Sequence, residues 1–383
     1  MTTRRDFHKR LACIVGTTAM STRLVPAVSA GALPENSRRV VTIFLNGGND
    51  GLNTIIPARD PLYAHYRNNL RIKPEEAIHL DDDTFLHPAM RGLSGCWDSG
   101  RLSIQQGVGY PNHSRSHFVS TAVWSEGNLD ATLPSFNGWL ARTLDPLQAN
   151  SQSPLACAID SPDTPELLRG RITRTVSMPQ LPREESQTLA RVLEQNQDFA
   201  ADSAANQFVL QASRDAAASL RKSAASSSQF DGFPDTTFGH RMGQVASVIE
   251  SLPEIKAVHA VHDGYDTHSG QRPRHSSLLR ELADGLAAID RFLSERGLSG
   301  STLIMVFSEF GRRVQENASH GTDHGAAAPV LLIGGGSEPG LHGASPDLEN
   351  LVDGDITVTS DFRELQAVAS QWLVSNEKKM RRS

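Results

Sequence analysis

Only three cysteines stand among 383 residues, which excludes a disulfide-dense scaffold. Two of them, Cys96 and Cys157, are far apart in the chain, so they do not form a thiolate zinc site. No excess of basic residues is present. Asp and Glu outnumber Lys and Arg, 43 to 37, and this balance argues against general nucleic-acid binding. The composition has neither the glycine period of a collagen nor the heptads of a coiled coil, and no internal repeat is visible. The one glycine triplet after a strand-like run, Gly334-Gly335-Gly336, lacks both a phosphate-loop lysine and dinucleotide spacing and reads as a loop. No apolar run is long enough to span a bilayer. What remains is ample length for a globular fold and a generous supply of metal ligands, including 14 histidines.

The first thirty residues read as an export signal rather than as fold. Arg4 and Arg5 precede an apolar stretch from Leu11 to Met20, and Ala27-Val28-Ser29-Ala30 supplies small residues at its end. The charged, apolar, small order is that of a secretory leader cut after Ala30. The Thr3-Arg4-Arg5-Asp6-Phe7 segment resembles the twin-arginine motif. The sequence therefore predicts a periplasmic or secreted protein, delivered by the twin-arginine export machinery, with no stable membrane anchor. Five basic residues and Asp6 leave with the leader, so the mature chain, 31–383, carries a formal charge of -10. Cys13 leaves too. Cys96 and Cys157 then either pair in an oxidising compartment or stay as buried thiols.

Five β-rich apolar runs are each joined to a polar, glycine-bearing or serine-bearing cluster. Val40–Leu45 leads into Asn46-Gly47-Gly48-Asn49-Asp50-Gly51, and Leu102–Val108 into Asn112-His113-Ser114-Arg115-Ser116-His117. Ile255–Val261 leads into His262-Asp263-Gly264-Tyr265-Asp266-Thr267-His268, and Thr302–Phe307 into Ser308-Glu309-Phe310-Gly311-Arg312. Val330–Ile333 is instead preceded by Gly321-Thr322-Asp323-His324-Gly325. Continuous apolar runs without alternation suit strands buried on both faces. Leu278, Leu279, Leu282, Leu286, Ile289 and Leu293 keep helical spacing between the third and fourth runs, which gives a strand-helix-strand unit of a parallel sheet. In open α/β sheets, ligands gather beyond the carboxyl ends of the strands, so the clusters can meet at one site. The Ala-, Ser- and Gln-rich middle, about 145–235, is expected to be a helical insertion or cap. Asp361-Phe362-Arg363 is expected to start a last helix.

Divalent metals take histidine nitrogen and carboxylate oxygen at about 2.0–2.2 Å. Asp50, Asp266, His268, Glu309, Asp323 and His324 are the candidate ligands. A serine at the start of a helix stands where backbone N–H groups favour anions, which makes Ser116 or Ser114 a candidate nucleophile. Arg115 can hold the oxygens of a transferred group, and Asn49 can bind an oxyanion or cap a turn. His117 can ligate, donate a proton or pack. Arg312 and Asn317 lie where they can support the ligands.

The Phe-Leu-Asn-Gly-Gly-Asn-Asp-Gly-Leu-Asn stretch, Ser114-Arg115-Ser116-His117-Phe118, Asp263–His268, Ser308–Arg312 and Gly321–Gly325 together resemble the DUF1501 family over essentially the whole mature chain. That resemblance implies an alkaline phosphatase-like fold: three-layer α/β, a mostly parallel sheet, and a helical insertion. By position in that superfamily, Asp50 would match the first-strand metal aspartate. Ser116 would match the nucleophile, Asp266 and His268 the spaced pair, and His324 the late glycine-flanked histidine. Where the superfamily has an adjacent Asp-His pair after the fourth strand, this chain has Glu309-Phe310, and Phe310 cannot ligate. The resemblance implies an exported hydrolase that binds one or two divalent ions (zinc, calcium, magnesium or manganese) and acts on a small anionic phosphate or sulfate ester. The alternative is a non-catalytic periplasmic metal-binding or assembly protein that keeps the fold.

Overall fold

A computed structural model describes residues 38–131, 137–179, 187–192, parts of 211–221, and 232–374. The expected leader lies outside the described residues. Nine strands form one sheet: β1 (Arg39–Asn46), β2 (Leu102–Gly109), β3 (Ala156–Ile159), β4 (Thr175–Met178), β5 (Ala257–Asp263), β6 (Thr302–Phe307), β7 (Ala328–Gly334), β8 (Gly340–His342) and β9 (Ser360–Asp361). Their order is β8-β2-β7-β6-β1-β5-β3-β4, and β9 also pairs with β2. β1 sits in the middle, parallel to β5 through Val40↔Ala257 and to β6 through Arg39↔Thr302. The chain therefore crosses from β5 to β6 over β1, through the long helix that the leucine spacing predicts.

Side chains alternate across each strand, and both faces are dry. Val41, Ile43, Ile304 and Val306 point into one core, while Val40, Leu303, Met305 and Phe307 point into the other. The five helices that cover them are α1 (His117–Glu126), α2 (Trp139–Gln148), α3 (Thr237–Ser251), α4 (Gln271–Glu295) and α5 (Phe362–Val374). The first core is closed by α3 and α4, with Leu279, Leu282, Leu286 and Ile289 of α4 fully buried. The second is closed by α1, α2 and α5. Helix, sheet and helix make the expected three-layer α/β fold.

Only β7 runs against its neighbours, antiparallel to β6 and β2. This reversal puts the cluster that precedes β7 at the same edge as the clusters that follow β1, β2, β5 and β6. The sequence expectation of convergence holds for all five clusters for this reason.

One expectation needs correcting. The span of about 145–235 does not begin as a helical insertion. Its first part supplies β3 and β4, which extend the main sheet parallel to β5; much of the rest lies outside the described residues. Cys96 and Cys157 are both free and buried. Among the described residues no helix is long and apolar enough to cross a membrane.

Candidate metal centre

The turn after β1 is built from glycines because nothing else fits. Gly47 and Gly48 have φ of 117° and 75°, a region that L side chains rarely adopt. A Cβ on Gly47 would stand 2.4 Å from the backbone nitrogen of Asp266. The turn is gripped from two sides. The N–H groups of Gly47 and Gly48 donate to the two oxygens of Glu309, at 2.9 and 3.1 Å. The carbonyls accept from the guanidinium of Arg312, which donates through Nε to Gly48 at 2.7 Å and through Nη2 to Gly47. Glu309 and Arg312 are both buried, so the loops after β1 and β6 form one rigid piece.

Four acceptor atoms converge above that piece. Asp266 Oδ1 lies 3.1 Å from His268 Nε2, 3.1 Å from His324 Nε2 and 3.7 Å from His117 Nε2. The two Nε2 atoms of His268 and His324 are 2.9 Å apart. His117, Asp266 and His324 each place a ligand atom within 4.8 Å of the others. His268 Nε2 lies beside two of them, Asp266 and His324. A tetrahedral ion with bonds of about 2.0–2.1 Å would set its ligand atoms about 3.3 Å apart; the distances from Asp266 Oδ1 to the three imidazoles are close to this, while His117 and His268 stand farther from each other.

The tautomers strengthen the case. His324 Nδ1 donates to the carbonyl of Arg115 at 2.7 Å. A carbonyl only accepts, so that nitrogen carries the hydrogen. His117 Nδ1 donates to Glu309 Oε1 at 2.7 Å, and His268 Nδ1 to Asp323 Oδ1 at 3.2 Å. In a neutral imidazole the other nitrogen is then a bare lone pair. The three nitrogens all lie within 3.7 Å of the Asp266 carboxylate oxygen, and donors of this kind can hold a cation. Carboxylate or carbonyl partners on the far ring nitrogen are the usual support of histidine ligands.

Electrostatics agree. Burial alone would raise the Asp266 carboxyl, but the hydrogen bond and charge of Arg312 (Nη2 to Oδ1, 2.7 Å) lead the interactions that outweigh it and hold it at about 2. The Glu309 hydrogen bond is the main cause that raises His117 above the ordinary imidazole value. Phe310 packs its ring 4.9 Å from that of His117 and 4.7 Å from that of His324. It is an apolar backing for two imidazoles.

Several predicted site residues are placed otherwise. Asp50 is not among the converging donors. Its carboxylate is wholly buried and paired with Arg67, through Nη1–Oδ2 at 2.6 Å and Nη2–Oδ1 at 3.0 Å, and it also accepts from Gln271 Nε2. Burial would raise its pKa, but the charge of Arg67 reverses that, and the carboxyl sits below its usual range. Glu309 and Asp323 hold imidazoles instead of standing among the converging atoms. Asn49 is consumed inside the fold: Oδ1 accepts from His275 Nε2 at 2.9 Å and Nδ2 donates to Thr54 Oγ1 at 3.0 Å. Arg115 contributes its carbonyl, while its guanidinium donates to the buried Asp355 at 2.7 Å. Arg312 donates to Asp266 Oδ1 at 2.7 Å and Asn317 Nδ2 to Asp323 Oδ1 at 3.1 Å, so each bonds to a predicted ligand residue.

Ser116 and Ser114 are bonded differently. Ser114 Oγ accepts from the backbone N–H of Ser116 at 3.1 Å. Ser116 occupies the N-cap of α1 without a side-chain cap bond and is exposed, one residue before His117. Sequence reasoning missed Arg67, Gln271 and Asp355. None lies in a motif, and no local signal marks them as partners of Asp50 or Arg115.

A family model described as "Protein of unknown function (DUF1501)" matches residues 94–364. No curated protein matches. Solved structures with some likeness include the C-terminal periplasmic domain of EcEptC from Escherichia coli in complex with Zn, at 12% identity and a TM-score of 0.37, covering 79% of this chain and 74% of that one. Alkaline phosphatase from the Antarctic bacterium TAB5 matches at 12% identity and a TM-score of 0.34, covering 80% and 95%. Phosphonate monoester hydrolase from Silicibacter pomeroyi matches at 11% and 0.36, covering 88% and 73%. Likeness at this level carries no function across.

Proposed function

The chain belongs to the DUF1501 family, and we propose that it is an exported hydrolase that uses one divalent ion to cleave a phosphate or sulfate ester. The ion would be held by His117, Asp266, His268 and His324. The observation that carries this reading is the convergence of four acceptor atoms, with each imidazole fixed from behind by Glu309, Asp323 or the Arg115 carbonyl. Three nitrogens and one oxygen suit zinc better than calcium or magnesium, which take oxygen ligands. A single ion is favoured because Arg67 already neutralises Asp50. Bound there, a divalent ion supplies Lewis acidity toward an ester oxygen.

The chain's own groups do the rest. Ser116 Oγ, free of any capping bond, would form the new bond to phosphorus or sulfur while the ester's alcohol departs with the serine proton. Water then releases the acid and restores the hydroxyl. The N-terminal amides of α1 favour the negative charge of the transferred group. Arg115 serves through its carbonyl, since Asp355 holds its guanidinium. The twin-arginine leader would carry the folded chain to the periplasm. One observation favours the non-catalytic alternative: with Asp50, Asn49 and Arg115 all bonded inside the fold, few side chains are left to clamp an anion.

A panel of phosphate mono- and diesters and sulfate esters tests this. Turnover lost in both Ser116→Ala and His324→Ala, with the ion retained in Ser116→Ala, supports the hydrolase. A loaded protein that turns over nothing on the panel supports the binding protein.

A further inference from the structure

Along α1 from His117, the next two turns present Thr121, Trp124 and Ser125 to a cavity of about 310 Å³. Phe44 of β1, His259 of β5 and Phe307 of β6 form its floor, and the 161–169 segment its outer wall. None of these residues belongs to the metal centre.

His259 is the informative group. It is 3% exposed, in the middle of a strand. Its Nδ1 stands 2.9 Å from Thr42 Oγ1, its register partner on β1. The Thr42 hydroxyl donates its only hydrogen to the carbonyl of Val258, at 3.3 Å, so it accepts from His259 Nδ1–H. His259 Nε2 is then a bare lone pair, with no partner among the described residues. Burial pushes this imidazole down to about 3, so it stays neutral near pH 7. This lone pair lies in the wall of a cavity able to hold a donor.

The other walls define what that donor belongs to. Trp124 and Phe307 stack with centroids 5.0 Å apart and an interplanar angle of 12°, and Phe44 lies 5.5 Å from Phe307. Flat aromatic walls suit a ring. Asp163 and Glu166 also line the cavity, and Arg169 already donates through Nε to the carbonyl of Thr164 at 2.8 Å. An anion would meet carboxylates there. The volume is at the small end of ligand pockets.

We propose that this cavity binds an uncharged, hydroxyl-bearing ring whose O–H donates to His259 Nε2. This does not rest on the hydrolase reading above.

Phenol and its methyl ether, anisole, titrated into metal-stripped protein by calorimetry and tryptophan fluorescence, separate the possibilities. Phenol should bind about two- to tenfold more tightly than anisole, the value of one net hydrogen bond. His259→Phe should erase that preference, and Thr121→Trp should fill the cavity and abolish saturable binding of both. Equal affinities in the unaltered protein, no saturable phenol binding, or phenol binding that survives Thr121→Trp would each overturn the proposal. Should His259→Phe fail to fold, the Thr121→Trp titration decides. Ring binding without ester turnover would remove the hydrolase reading and leave the pocket standing; turnover without ring binding would do the reverse.

Discussion

Replacing Arg67 by methionine removes the only guanidinium bonded to Asp50 among the described residues, while keeping most of the apolar stem. Both side chains are completely buried. Two unit charges about 4 Å apart attract by about 4 kcal/mol at the effective dielectric that suits protein sites, and breaking a buried pair by removing one member costs about 3–5 kcal/mol. Arg67 also donates to the carbonyls of Val314, at 2.5 Å, and Arg313, at 2.9 Å, so the upper half of that range is expected. The effect has a pH signature. In the unaltered protein the Asp50 carboxyl is held below its unfolded value, so its contribution is present above about pH 4 and is lost as pH falls through the folded value. In Arg67→Met, burial without a cation raises the carboxyl above the unfolded value, so the deficit shrinks toward acid pH. Adding Asp50→Leu should recover most of the loss, because an apolar pair of similar volume is often neutral. Urea unfolding at pH 8 and pH 4 measures all of this. A loss under about 1 kcal/mol at pH 8, or one equal at both pH values, would refute the reasoning that takes Asp50 out of the metal set.

Asp323→Ala removes the acceptor behind His268 and should weaken metal affinity about 10- to 100-fold, read by competition with a chromophoric chelator; an unchanged affinity would place His268 outside the centre. Cys96 is pushed up to about 12, by burial first and then by Asp290, and Cys157 is raised by burial alone. Neither thiol should react with Ellman's reagent until the protein unfolds, and fast labelling of the native state would contradict their placement. His324→Ala should release the ion without unfolding the sheet, because His324 lies in the loop before β7; coincident loss of far-ultraviolet circular dichroism would argue otherwise.

The central strands were legible because burial on both faces writes itself as uninterrupted apolar sequence, as in Val40–Leu45 and Thr302–Phe307. β3 and β4 were not, since four-residue strands in a Ser- and Pro-rich stretch carry too little pattern to show. The direction of β7 was not legible either, because orientation is set by which neighbours a strand pairs with. Asp266, His268 and His324 stood out because polar residues beside glycines at strand ends have few packing roles. Asp50 stood out for the same reason, and misleadingly. Its partner Arg67 lies seventeen positions on, in a segment with no motif, and only tertiary contact shows that the charge is already neutralised. His117 was read with several roles open, and the Glu309 contact from another strand narrows them.

The most direct test of the one-ion centre is X-ray absorption on the zinc-loaded protein, with the ion count taken by mass spectrometry. One zinc per chain, with three imidazole nitrogens and one oxygen from the protein at about 2.0–2.1 Å, is the expected result. Two ions per chain, or a bound zinc whose spectrum lacks imidazole scattering, would contradict it.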